Sequence, residues 1–113
     1  MANVHYMNLL EEPFLMIEQG IKTVEMRLCD EKRRKLRVGD VIVFSSMGRE
    51  IRAAVKGLYI YEDFHALVSD FSPAELGFPE SERGYIADFM MGIYGEEKIA
   101  SCKTLAIKVC LEK

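Results

Sequence analysis

Lys22, Glu25 and Arg27 fall within one short run, Gly20-Ile21-Lys22-Thr23-Val24-Glu25-Met26-Arg27. A cation, an acid and a second cation at this spacing can grip a polar ligand or work as an acid–base pair. The run follows an amphipathic helical pattern that stops at Gly20, and its composition predicts a strand over residues 22–28. Strand side chains alternate between faces, so Thr23, Glu25 and Arg27 share one side, and Val24, Met26 and Leu28 the other. Two residues of strand rise set Glu25 and Arg27 ~7 Å apart. Lys22 falls in the apolar phase unless the chain is still turning there. A solvated same-face pair, worth ~0–1 kcal/mol, would show the same spacing without any further role.

Other candidates for chemistry are sparser. Lys32-Arg33-Arg34-Lys35-Leu36-Arg37 is a basic run directly after the charged strand. Such a run is ordinarily a solvated face, but it can also contact phosphates. Tyr59, Tyr61, Phe64 and Phe71 offer a surface on which a base could stack, although the core is the commoner home for such rings. His5 and His65 stand at unrelated places, and no His, Cys or carboxylate spacing suits a metal, so none is expected. Neither Gly-x-Gly-x-x-Gly nor Gly-x-x-x-x-Gly-Lys-Ser/Thr occurs, and no cofactor is expected. Glu80 and Glu82 flank the start of a predicted helix, where acids complement the N-terminal dipole.

Composition bounds the function classes. The chain of 113 residues suits one domain with one core. Its formal net charge of −3 disfavours a protein that coats nucleic acid indiscriminately, though one face can still be basic. The first residues lack a basic region followed by a long apolar run, and no stretch is apolar for long enough to span a bilayer. Cys29, Cys102 and Cys110 are odd in number and far apart, which fits free thiols in a reducing cytoplasm. Cys102 and Cys110 are expected in or beside a strand, as small buried apolar side chains.

The elements that must position the charged strand read as follows. Strands are predicted at 4–9, 22–28, 41–45, 51–61 and 104–111, and helices at 11–19, 62–70, 73–76 and 81–94. Residues 29–37 form a loop or a single helical turn. Gly57 suggests a bulge in the long strand. Simple alternation puts Ala53, Val55, Gly57, Tyr59 and Tyr61 of that strand on one side. Ser72-Pro73-Ala74-Glu75 is a capping-box start. Tyr85, Ile86, Phe89, Met90 and Ile93 would make the apolar face of the last helix. This order predicts an α+β fold, a small mixed β-barrel decorated by short helices.

Gly20-x-Lys22-x-x-Glu25-x-Arg27 resembles the G-x-K-x-x-E-x-R signature of ASCH domains, the activating signal cointegrator homology family. The similarity spans the chain as a single domain over residues 1–113. It takes in Glu12-Pro13-Phe14-x-x-Ile17, the basic loop closed by Val38-Gly39-Asp40-x-Ile42, Tyr61-Glu62-Asp63-Phe64 and Ile93-Tyr94-Gly95. Among ASCH domains it is most similar to the small single-domain bacterial members. The resemblance implies a PUA-like fold with a cleft lined by the signature strand. It also implies a ligand that is RNA or a small nucleoside- or nucleotide-like molecule, with no membrane partner. On that reading Lys22, Thr23, Glu25 and Arg27 line the cleft. Arg27 contacts phosphate or braces Glu25, Glu25 accepts from a base amino group, and Arg33 and Arg34 track the backbone.

Some similar small proteins are amidohydrolases acting on N4-acetylcytidine through a lysine, a threonine and a glutamate. Lys22 matches that lysine, but Glu25 stands where the threonine belongs, and Glu80 or Glu82 are only loose counterparts of the glutamate. Lys22 and Glu25 would then be the catalytic pair, with Glu25 as general base for an attacking water. No long exposed amphipathic helix or heptad pattern favours a purely structural or protein-interaction role.

Overall fold

The structure is a computed structural model and describes residues 2–112. Its strands are β1 (Val4–Asn8), β2 (Val24–Leu28), β3 (Val41–Ser46), β4 (Arg49–Tyr61) and β5 (Thr104–Leu111). They form one sheet in the order β1-β3-β4-β5-β2. β1 runs parallel to β3, and the other neighbours are antiparallel. The sheet curls into a half-barrel dressed with short helices, an α+β fold consistent with a small PUA-like domain.

Local sequence explains the turns of this sheet. Met47 and Gly48 join β3 to β4 with φ of 54° and 74°, the left-handed pair that a two-residue hairpin requires. In β4 the register slips between Val55, opposite Val109, and Gly57, opposite Lys108. This bulge is where Gly57 predicted one, but it also overturns the simple alternation along the strand. Past it, Leu58 opposes Ile107 and packs inward, while Tyr59 opposes Ala106 and turns to the other face. One inserted residue exchanges the two faces of everything downstream.

The helices are α1 (Glu11–Glu18), α2 (Phe64–Ser69), α3 (Pro73–Leu76), α4 (Ile86–Tyr94) and α5 (Glu96–Cys102). α1 inserts Phe14 and Ile17 into the curl against Ile42, Phe44, Val55 and Ile107. Outside the curl, α2–α5 pack Phe64, Leu67, Leu76, Ile86, Met90 and Ile99 against Val24, Met26 and Leu28. The capping box of Ser72 and Glu75 closes as predicted. α2 begins only at Phe64, because Asp63 caps it by accepting from the Ala66 N–H.

Three expectations need correction. The helix predicted over 81–94 starts at Ile86, and Glu80–Glu82 is a separate 3-10 turn. Gly84 lies between them, where glycine weakens helix continuity. Residues 96–102, read as a connection, form α5, which buries only Ile99 and so shows little periodicity. Cys110 faces solvent on β5, Cys102 is half-buried at the end of α5, and only Cys29 is buried.

Candidate functional site

The strand predicted from Lys22 begins at Val24. Residues 20–22 are still turning: Gly20 has φ of 78°, and the N–H groups of Ile21 and Lys22 both donate to the Met16 carbonyl. Lys22 therefore escapes the strand's alternation. Its ammonium reaches the same carboxylate that Arg27 reaches. Lys22 Nζ lies 3.1 Å from Glu25 Oε1, and Arg27 Nε donates to Glu25 Oε2 at 2.7 Å. Both Lys22 and Glu25 are buried, with side chains 7% exposed.

Cross-strand register shows where this cluster faces. Glu25 opposes Ile107 and Arg27 opposes Leu105, both residues of the core inside the curl. The polar side of β2 thus looks into the half-barrel, while its apolar side packs under the helices. Arg27 also donates from Nη2 to the Asn8 carbonyl at 2.9 Å. Asn8 ends β1, so this bond joins the two edge strands of the sheet and bridges the open seam. Ile60 lies on the same cross-strand row as Leu105 and Arg27 and is 63% exposed, so this end of the curl opens to solvent.

Lys22 is held from the far side as well. Its ammonium donates to the Leu76 carbonyl at 3.0 Å, where α3 ends. Gly77 follows with φ of 89°, and a Cβ there would stand 2.8 Å from Lys22 Cδ. Glycine is required twice over, for the left-handed conformation and for the lysine stem. Burial opposes the charged form of Glu25, but the charges and hydrogen bonds of Lys22 and Arg27 outweigh it and hold the carboxyl below its ordinary range. The three groups are an ionised cluster of formal charge +1. A carboxylate held below its ordinary range is a weaker proton acceptor than a free one.

The remaining candidates divide. Thr23 is half-buried and works through its backbone, donating N–H to Glu75 and accepting from Val109. Arg33 sits in a 3-10 turn, where its backbone N–H and Nη1 both bond the Asp30 carboxylate. Its Nε is buried without a hydrogen-bond partner. Arg34 spends Nε on the Cys29 carbonyl, and Arg37 spends Nη1 on the carbonyls of Arg34 and Leu36. Much of the basic run thus ties down its own loop, while Lys32 and Lys35 stay exposed.

Among the proposed stacking rings, Phe64 is fully buried and belongs to the core. Tyr59 is exposed and Phe71 half-buried against it, with centroids 6.2 Å apart. Tyr61 bonds Asp70, and burial with that bond pushes its hydroxyl up to about 12. His5 bonds the buried Asp40, and His65 is exposed near Asp88. Among the described residues, no group of three His, Cys, Asp or Glu side chains could hold a metal. Glu80 pairs with Arg83 on the surface.

Sequence reasoning missed several parts of the site. The Asn8 and Leu76 carbonyls carry no sequence signal, since every residue has one. Asp30 had a weak signal, an acid three residues before Arg33. Tyr94 entered only through the Ile93-Tyr94-Gly95 match, with no role attached. Burial raises its hydroxyl, and the charges of Arg27, Glu25, Arg33 and Asp30 all act on it. Two shallow depressions, at Asn8, Leu9 and 45–48 and along α1, are not lined by Lys22, Glu25 or Arg27.

Comparison with known proteins agrees with this anatomy. The ASCH domain pattern matches residues 7–110. The crystal structure of hypothetical protein PH0355 is similar at a TM-score of 0.83 and 30% identity, covering 96% of this chain and 99% of that one. The solution NMR structure of protein PF0455 from Pyrococcus furiosus is similar at 0.75 and 29% identity, covering 97% and 98%. No curated protein matches the chain. With the pattern running through all five strands, this chain belongs to the ASCH domain family.

Proposed function

We propose that this protein binds RNA or a small nucleotide-derived ligand at the open end of the curl, as a PUA-like ASCH domain of the small single-domain bacterial type. Arg27 makes the principal phosphate contact. The observation that carries the reading is how Arg27 is held. Nε on Glu25 and Nη2 on Asn8 fix the guanidinium plane, leaving N–H groups of Nη1 and Nη2 for an anionic oxygen. Lys22 and Glu25 act beneath it as positioning residues, and their net positive charge with Arg27 favours an anion. Arg33 supplies a second guanidinium and Lys32 and Lys35 a diffuse field, which suits a short ligand better than a long duplex. The free thiols of Cys29, Cys102 and Cys110 suit a cytoplasmic setting.

Hydrolysis of N4-acetylcytidine or a related modified nucleoside by Lys22 and Glu25 is the weaker reading. Both groups are sealed by each other and by Leu76, and Glu25 is held ionised. Titration of a short single-stranded RNA by fluorescence anisotropy, at several salt concentrations, tests the binding reading. Arg27→Ala should weaken binding about tenfold or more and flatten the salt slope by about one contact. Lys56→Ala, on the exposed side of β4, should change neither. Equal effects of the two substitutions would overturn the assignment. Release of cytidine from N4-acetylcytidine by wild type but not by Lys22→Ala would favour the hydrolase instead.

A further inference from the structure

The flank of α4 carries an anomaly that the signature site does not use. Tyr85, Phe89 and Ile93 recur every fourth residue, the spacing of one helix stripe. Their spacing assigns them to the apolar face of the helix, together with Ile86 and Met90. The structure leaves them 52%, 39% and 56% exposed, while Ile86 and Met90 of the same helix are buried. The stripe is contiguous with Phe78, whose ring lies 5.9 Å from that of Phe89, and Tyr85 lies 5.6 Å from Phe89 on the other side. Linked exposed aromatics of this kind mark contact surfaces.

Charge selects the occupant. Between residues 80 and 98 stand Glu80, Glu82, Asp88, Glu96 and Glu97 against only Arg83 and Lys98. The whole formal charge of −3 therefore lies in this segment, and the rest of the chain balances. Arg83 is spent on Glu80, and Asp88 stays 70% exposed beside the stripe. A nucleic acid laid on these rings would meet repulsion. A second copy docked through the same face about a two-fold axis would bring two acidic rims together.

We infer that the α4 stripe is a docking surface for a basic amphipathic segment of a partner protein. Apolar side chains of that segment would cover Phe78, Phe89 and Ile93. Its lysines and arginines would meet the acidic rim and the faces of Tyr85 and Phe89. This surface is independent of the RNA reading of the signature site.

The test uses the intact protein in two-dimensional amide NMR. One short synthetic peptide carries leucines at helical spacing flanked by lysines and arginines; its twin carries glutamates in their place. The basic peptide should shift the amides of Phe78, Tyr85, Phe89 and Ile93, and the acidic twin should not. Phe89→Ala should weaken the basic peptide about tenfold, as loss of a central anchor does. Asp88→Lys, a fully surface change, should weaken it too, and Tyr85→Ala serves if Phe89→Ala loosens the fold. The inference is overturned if neither peptide binds, if both bind equally, or if Phe89→Ala and Tyr85→Ala change nothing. Self-association through the stripe in sedimentation equilibrium would overturn it in favour of a second copy. Shifts of the same amides by oligouridylate would overturn it in favour of RNA.

Discussion

Residues 22–27 and 32–37 are neighbouring charged segments of equal length that end up in opposite circumstances. In the first, Lys22 and Arg27 converge on the buried carboxylate of Glu25 and tie it to α3 and to β1. In the second, Arg33 bonds Asp30, Arg34 and Arg37 bond nearby carbonyls, and Lys32 and Lys35 face water. The difference is where the charges can find partners. Alternating signs let two cations share one buried carboxylate. A run of one sign repels itself and must stay near water, held by backbone carbonyls and one acid. Charge order, rather than charge count, separates a buried network from a surface patch.

Breaking the buried network should have the largest effect. Glu25→Gln leaves the buried Lys22 and the half-buried Arg27 without their anion, and Lys22→Met leaves Glu25 with only Arg27. Each should cost about 3–5 kcal/mol of stability in urea denaturation, as loss of one partner from a buried pair does. Lys35→Ala, in the surface run, should move stability by less than about 0.5 kcal/mol. A small loss at Glu25 would mean that water reaches the cluster and that the contrast between the segments is false.

Gly77 comes next. Gly77→Ala adds a Cβ against Lys22 Cδ and forces a side chain into a positive φ. It should cost about 1–3 kcal/mol by the same measurement. In a Lys22→Ala background the steric part should vanish while the backbone part remains, so the two changes should be less than additive.

Acid sharpens the comparison further. Glu25 has an ordinary value of 4.5 and is held lower in the fold, where burial is outweighed by Lys22 and Arg27. Its contribution is therefore fully present above 4.5 and is lost as the pH falls through the depressed folded value. Asp40 acts in the same direction, held below its ordinary range by its hydrogen bond from His5 and by the Asn3 and Arg37 N–H groups. The urea midpoint should fall as the pH drops below about 4.5, and Glu25→Gln should flatten part of that fall. The surface loop should give the smallest signal: Arg34→Ala removes one bond to the Cys29 carbonyl, worth about 0.5–1.5 kcal/mol by the same denaturation.

The candidate site was partly legible. The spacing of Glu25 and Arg27 placed them on one face, and they are on one face. Lys22 was ambiguous by alternation, and the turn after Gly20 settled it toward Glu25. Tyr94 and Asn8 were invisible as site residues because they come from the far end of α4 and the opposite sheet edge. The stripe Tyr85, Phe89 and Ile93 had the periodicity of a core face, yet only its neighbours Ile86 and Met90 are buried. Periodicity identifies which residues share a side of a helix, but not whether anything lies against that side.

By itself the sequence determined what depends on near neighbours. This covers the capping box of Ser72 and Glu75, the bulge at Gly57 and the alternation along β2. These follow from backbone geometry within a few residues. Only the tertiary structure decided that the polar face of β2 looks into the curl, that Arg27 bridges the seam to β1, and that Leu76 and Gly77 cradle Lys22. The first sets Glu25 opposite Ile107, 82 positions on, and the other two join residues 19 to 55 positions apart in the chain. Such contacts are chosen by the packing of whole elements, and local spacing holds no record of it.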